Sequence, residues 1–433
     1  MERVYERCCG IDVHKKMVVA CLILVADGQR HKEARTFRTT TQDLLLLLDW
    51  LSSAGCTHVA MESTATYWKP IYNLLEGHFE LLVVNAQHIK AVPGRKTDVH
   101  DSEWIADLLQ HGLLKASFIP PASQRDLREL TRYRTNLVEE RARASNRLQQ
   151  TLEGTNLKLG DVATDILGKS GRAILEALLA GQTDPAVLAN LARGRMKAKR
   201  AELEQALVGT LTAHHRFLLR QQLDHIDTLS EAIGRVSNEI EERMHALDHV
   251  EQNPCPSQQT PQEQEPLTWN GAIELLDTIP GINQRAAEGI LAEIGTDMAR
   301  FTNAHHLASW AGMCPGSNES AGKRLSSRIR KGSPWLRTLL VEAAHAAAHS
   351  KNTYLSAQYR RLAARCGAKK AAVAVGHTIL IIIYHVLQER EGYRELGGNY
   401  FDERDRQTTE KRLVRRLEKL GYEVAIKSPS PAA

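Results

Sequence analysis

Four carboxylates in the first 101 residues are of a type and spacing that can share a cation. Asp12 sits inside the otherwise apolar run CCGIDVH, and Glu62 ends the run VAME. Asp98 and Asp101 stand three residues apart, which on a helix puts them on one face. Carboxylates gathered at one point repel one another and raise their own pKa values unless a cation neutralises them. An all-oxygen set suits Mg²⁺ or Mn²⁺. Two such ions about 3.5–4 Å apart can activate an attacking oxygen and stabilise a leaving oxygen in phosphodiester cleavage. Singly, each acid has a plainer account. Asp98 and Asp101 fit the first turn of a helix, where the dipole favours acids, and Glu62 fits a solvated strand end. Asp12 is harder to explain so, because a carboxylate within an apolar strand needs a partner. Lys96, just ahead of Asp98, can meet a backbone phosphate or simply lie in a solvated loop.

A second group lies far along the chain. Between Lys323 and Arg337 stand Lys323, Arg324, Arg328, Arg330, Lys331 and Arg337 with no acid among them, and Ser317, Ser320, Ser326, Ser327 and Ser333 are set in or beside the run. A hydroxyl surrounded by cations can attack a phosphate, since the cations favour its ionised form and the charged transition state. Read from these residues alone, the stretch is a loop that binds phosphate backbone and does no chemistry. Upstream, Leu275 to Gly295 has the form of a helix-hairpin-helix, with Gly281 in the turn and free backbone N–H groups at the start of the second helix. Such a hairpin grips nucleic acid without reading bases; an αα-hairpin with no ligand remains open. A third basic series, Arg125, Arg128, Arg132, Arg134, Arg141, Arg143 and Arg147, reads as an RNA or DNA face carried by Arg128 and Arg132. Interleaved acids leave a solvated coiled-coil surface as the alternative.

The elements that must position these groups follow from the patterning. Strand-like runs at Cys8–His14, Met17–Val25 and Arg35–Thr39 predict three antiparallel strands. A helix through Leu44–Leu51 follows, capped by Thr41 or Asp43. Then come a strand at His58–Met61, a helix at Tyr67–Leu75, a strand at Phe79–Val84 and a helix over Asp98–His111. That order is the layout of an RNase H-like fold, in which the strands of Asp12 and Glu62 are neighbours. From Ser123 to about Met244 the chain reads as helical and coiled-coil, with RGRMKAKR (Arg193–Arg200) as a basic joint. The expected organisation is α/β plus α: an RNase H-like domain over 1–122, a helical coiled-coil region over 123–249 and a Pro/Gln-rich linker over 250–268. A small, mostly helical domain with the hairpin and the serines covers 269–366, and a helical segment and tail cover 367–433.

Composition restricts the partners only mildly. The chain has 433 residues, enough for two or three domains, with 42% hydrophobic and 25% charged residues and a net charge of +5. The seven cysteines form no CxxC pair, which argues against a zinc site or a disulfide framework and for reduced thiols in the cytoplasm. The charged N-terminus MERVYERCCG lacks the apolar core of a signal peptide. The apolar run Ala371–Leu387, broken by Gly376, His377 and His385, reads as a buried helix and no membrane span.

Taken in order, GIDVHKK, MESTATYWKP, KTDVHDSEWIADLL, IPGI…AEIG, PGSNESAGKR and RKGSPWLR resemble the DEDD transposases of the bridge-RNA-guided bacterial insertion-sequence family. The resemblance runs over nearly the whole chain, through YHVLQEREGYRELGGNYFD. It implies a RuvC-like RNase H-fold domain whose four acids match Asp12, Glu62, Asp98 and Asp101. It further implies a small transposase domain with a catalytic serine, which matches Ser320 in ESAGK. It also implies double-stranded donor and target DNA, an element-encoded guide RNA, and a homo-oligomer, dimer to tetramer, joined through the long helices. Active sites would combine the acids of one subunit with the serine of another. Two readings stay beside this one: a RuvC-like nuclease or junction resolvase in which water attacks, and a nucleic-acid-binding scaffold without catalysis.

Overall fold

The computed structural model describes residues 4–26, 28–63, 65–85, 101–252, 267–314, 318–320, 323–326, 329, 332–404 and 406–425; over 318–320 and 323–326 it describes the main chain. The chain divides into two compact units, Met1–Pro120 and Pro121–Ala433.

The first unit is built on one mixed sheet. Strands β1 (Arg7–Val13), β2 (Met17–Ala26) and β3 (Gln29–Arg38) run antiparallel. Helix α1 (Thr41–Ser53), strand β4 (His58–Glu62), helix α2 (Trp68–Leu75), strand β5 (Glu80–Val84) and helix α3 (Asp101–Gln110) follow. The sheet order is β3-β2-β1-β4-β5, with β4 parallel to both β1 and β5. Strand β1 is central and covered on both faces, which is why its sequence is apolar without alternation. Cys9, Ile11 and Val13 pack with Leu47, Leu51, Ile71 and Leu75 of α1 and α2. Cys8 turns to the other face, against Ile105, Ala106 and Leu109 of α3. Strand β3 forms one edge, and its run QRHKEARTFR is mostly exposed and charged, a pattern that discourages edge-to-edge pairing. The cap of α1 differs from expectation. Thr40, not Thr41 or Asp43, accepts the hydrogen bond from the Asp43 N–H at 3.3 Å, because the helix begins at Thr41, three residues ahead of its first apolar residue Leu44.

The second unit is helical apart from one small hairpin. Helices α4 (Ala122–Gly154) and α9 (Ala213–Gln252) lie antiparallel, and between them the chain forms α5 (Leu159–Val162), α6 (Lys169–Leu179), α7 (Pro185–Ala189), a 3₁₀ turn (Gly194–Lys199) and α8 (Arg200–Ala206). Leu148 and Leu152 of α4 and Leu219, Leu223 and Ile226 of α9 share one core with the short helices. At the other end of the pair, Leu127 of α4 and Ile240 and Met244 of α9 enter a second core. That core also takes in α10 (Trp269–Asp277), α11 (Gln284–Ile294), α12 (Ala304–Trp310), α13 (Pro334–His349), α14 (Tyr354–Cys366) and α15 (Ala368–Glu389). By length and composition α15 could cross a membrane, yet Val375, Ile379, Leu380 and Ile383 are fully buried among the other helices. Of the linker expected over 250–268, residues 253–266 lie outside the described residues, while α9 runs on to Gln252 and Thr268 caps α10. Helices α16 (Tyr400–Arg404) and α17 (Arg406–Lys419) end the described chain.

Candidate active site

The sheet register brings two of the predicted acids side by side. Cys8 to Ile11 of β1 pair in parallel with His58 to Met61 of β4. Carrying that register one residue on sets Asp12 beside Glu62 at the C-terminal ends of neighbouring strands. Side chains alternate across a strand, so Asp12 and Glu62 belong to the face of Cys8 and Ala60, which α3 covers. Gly10 shows how closely α3 lies there. A Cβ on Gly10 would come 2.2 Å from the Ala106 nitrogen and 2.4 Å from the Ser102 carbonyl oxygen. Asp101, the first residue of α3, is next to Ser102, whose carbonyl lies over Gly10, two residues before Asp12. Helix α3 is tied to the sheet by Arg30, which pairs with Asp107, and by Lys32, whose Nζ is 3.0 Å from the Asp107 carboxylate. Burial, with Arg30 as neighbour, lowers the Lys32 pKa.

Asp12 has a partner that the sequence reading missed. His14 Nε2 lies 3.0 Å from Asp12 Oδ2, and the Asp12 side chain is only 17% exposed. The two residues alternate to the same side of the chain as it leaves β1, a signal that was legible. Asp98 and Lys96 lie outside the described residues. Among the described residues no group of three or more His, Cys, Asp or Glu side chains is drawn tightly enough to hold an ion. The carboxylates of Asp12, Glu62 and Asp101 are nonetheless oxygen donors of the kind a hard divalent cation takes, and that of Asp12 is largely withdrawn from water.

The serine lies on a two-stranded hairpin. Strand β6 (Asn318–Ser320) pairs antiparallel with β7 (Lys323–Ser326), Ser320 opposite Lys323 and Glu319 opposite Arg324. Ser320 therefore closes the hairpin directly across from a lysine. Arg328, Arg330 and Lys331 lie outside the described residues. The segment's two feet are pinned together, since a Cβ on Gly332 would fall 2.2 Å from the Ala311 carbonyl oxygen and 2.6 Å from the Gly312 nitrogen.

Both regions match known proteins. A family model for transposases of the IS110 DEDD type covers residues 9–157. A second, described as transposase of the IS116/IS110/IS902 family, covers residues 273–360. The chain belongs to the IS110 family of transposases. A "Probable family 20 transposase" of Pseudomonas aeruginosa is 26% identical over 343 residues, 78% of this chain and 85% of that protein. The "Insertion element IS116 uncharacterized 44.8 kDa protein" of Streptomyces clavuligerus is 24% identical over 58% of this chain and 63% of its own. As an IS110-family transposase the protein is a DNA-cleaving and DNA-joining enzyme.

Within this transposase, the arginines assigned to a nucleic-acid face have protein partners. Arg132 grips the Glu293 carboxylate with Nε at 2.7 Å and a terminal nitrogen at 2.9 Å. Arg128 donates to the main-chain carbonyls of Ala292 and Glu293. Glu293 is 2% exposed and also accepts from Ser333 Oγ at 3.2 Å. Ser333 in turn caps α13, so the base of the serine segment is bound to α4 through α11. Burial pulls the Arg128 pKa down to about 10 against the raising effect of Glu293. A parallel pair joins Arg134 to Glu288 at 2.6 Å, both buried. Gly281 adopts φ +95°, as a tight turn requires. A Cβ there would strike the Ala343 carbonyl at 2.2 Å, so packing against α13 already explains the glycine. At the start of α11 the Asn283 side chain takes the Ala286 N–H.

Proposed function

We propose that this IS110-family transposase has an RNase H-like first domain whose acids Asp12, Glu62, Asp98 and Asp101 hold Mg²⁺ or Mn²⁺, and that Ser320 is its nucleophile. The observation that carries the reading is the placement of Asp12 and Glu62 on adjacent parallel strands, under a helix that begins with Asp101. The strand order β3-β2-β1-β4-β5 supports the fold assignment. A divalent ion bound there would lower the pKa of the attacking hydroxyl and neutralise charge on the scissile phosphate.

In this mechanism the Ser320 Oγ attacks the scissile phosphorus. The P–O3′ bond breaks, the serine proton is lost, and the departing 3′ oxygen takes up a proton. The products are a phosphoserine–DNA bond and a free 3′ hydroxyl. After strands exchange, a 3′ hydroxyl attacks the phosphoserine and frees Ser320. Each step conserves the phosphodiester energy, so no nucleotide hydrolysis is needed. Lys323, opposite Ser320 in the hairpin register, and Arg324 would meet the phosphate, with Arg328, Arg330 and Lys331 supplying further positive charge in sequence. The turn at Gly281 and the start of α11 form a helix-hairpin-helix contact to the backbone. Base choice lies in an element-encoded RNA, and the acids of one subunit work with the serine of another, as the family resemblance implies.

The test is a denaturing gel of protein, Mg²⁺, flanking-region RNA and labelled junction DNA. A covalent adduct that vanishes in both Asp12→Ala and Ser320→Ala supports the reading. Metal-dependent nicks without an adduct would establish instead a nuclease in which water attacks.

A further inference from the structure

The serine segment borders a cavity that the mechanism above does not use. It has a volume of about 550 Å³, within the roughly 300–1,000 Å³ span of small-molecule sites. Met313 and Ile329, which flank Ser320 in the chain, form one wall, and Val373 and Ala374 of α15 form the other. Lys369 and Lys370 stand at the rim, both exposed, and among the described residues neither ammonium is paired with a carboxylate. Among the described residues no acid lines the cavity. Among the described residues the remaining polar group is His377, whose pKa is lowered by burial and by its neighbour His305, so at neutral pH its ring both donates and accepts.

An apolar slot with a cationic rim and one neutral hydrogen-bonding ring matches a nucleotide. A base has two apolar faces and a polar edge, while its phosphates carry the charge. We propose that this cavity receives one nucleobase unstacked from the strand next to the scissile phosphate. Met313, Ile329, Val373 and Ala374 would cover its faces, His377 its edge, and Lys369 and Lys370 the flanking phosphates. The inference rests on the reading of Ser320 as the attacking residue, since that reading puts a DNA strand at this hairpin. Unstacking beside the bond would open the backbone to in-line attack.

The experiment uses full-length protein with flanking-region RNA and junction DNA carrying 2-aminopurine at each position beside the scissile phosphate in turn. Unstacking raises its fluorescence. At one position the wild type should give a severalfold rise, and Ala374→Trp, which fills the cavity, should abolish that rise while DNA stays bound. Lys369→Ala with Lys370→Ala keeps the test open if Ala374→Trp misfolds. Their salt slope for DNA binding should then shrink by about 0.7–0.9 per lysine. An adduct on Ser320 with no fluorescence rise at any position overturns the cavity proposal and leaves the nucleophile standing. A rise lost in Ala374→Trp without any adduct keeps the cavity and removes the nucleophile.

Discussion

Gly10 lies directly beneath the main chain of Ala106: a methyl group on Gly10 would come 2.2 Å from the Ala106 nitrogen. Helix α3 can approach β1 this closely only because the strand carries no side chain there. The approach fixes how far Asp101 stands from the sheet end where Asp12 and Glu62 emerge. The obstacle is backbone, which cannot rotate away as a flexible side chain would.

Gly10→Ala should therefore push α3 outward and misplace Asp101. Overpacking of this kind costs about 1–3 kcal/mol. Calorimetry should show the first unit melting earlier, and cleavage should fall further than the melting shift alone explains. Normal cleavage in Gly10→Ala would show that the spacing of α3 does not matter to the site.

Buried Glu293 gathers Arg128, Ser333 and the partly exposed Arg132. Removing Arg132 takes away two of the hydrogen bonds to Glu293 and leaves it Arg128 and Ser333, at a cost of about 1–3 kcal/mol. Arg132→Ala should thus lower the unfolding midpoint of the second unit and leave the salt dependence of nucleic-acid binding little changed. Arg143→Ala with Arg147→Ala, both on the exposed side of α4, should do the reverse. They should reduce the salt slope by about 0.7–0.9 per lost contact without a change in melting. If Arg132→Ala flattens the salt slope instead, the guanidinium reaches nucleic acid despite Glu293.

The N-terminal thiols predict an alkaline weakness. Burial pushes Cys8 up to about 12, and Cys56 nearby is likewise raised by burial to about 12, from an ordinary value of 9.0. A group whose folded pKa is raised contributes stability that is whole below the unfolded pKa and is lost as pH climbs through the folded one. The denaturant midpoint of the first unit should be level to about pH 9 and fall between about pH 9 and 12. The fall should be shallower in Cys8→Ala. Native Cys8 should also resist alkylation at neutral pH, where its thiolate is scarce. Rapid labelling of Cys8 in the native protein would contradict its burial.

What could be read in advance divides along physical lines. The apolar runs of β1, β4 and β5 announce strands because a strand covered on both faces has no choice of residue. Asp12 and Glu62 were visible as polar residues in or ending those runs. Partnership is different. Arg132 looked like a surface cation because periodicity shows which face a residue occupies and not what meets it. Its partner Glu293 is 161 residues away. Helix α15 seemed a separate C-terminal segment, yet it shares a core with α10–α14, since nothing in an apolar stripe says which other stripe it packs on. The β6–β7 hairpin escaped notice because strands of three and four residues are too short to show alternation. His14 was within reach, two residues from Asp12 on the same side.

The pairing of Asp12 with His14 yields a last prediction that needs no DNA. A hard cation accepted by Asp12 and Glu62 binds the folded unit and not the unfolded chain, so it must stabilise by mass action. At a hundredfold excess over its dissociation constant the gain is about 2.7 kcal/mol. Mg²⁺ should therefore raise the melting temperature of the first unit in the wild type and do nothing for Asp12→Ala. His14→Ala tests the competition for the same oxygen. With no histidine held at 3.0 Å from Asp12 Oδ2, the ion should bind at least as tightly, and the shift should appear at equal or lower Mg²⁺. If Asp12→Ala keeps the full Mg²⁺ shift, the ion is held somewhere else and the acids at the sheet end are structural.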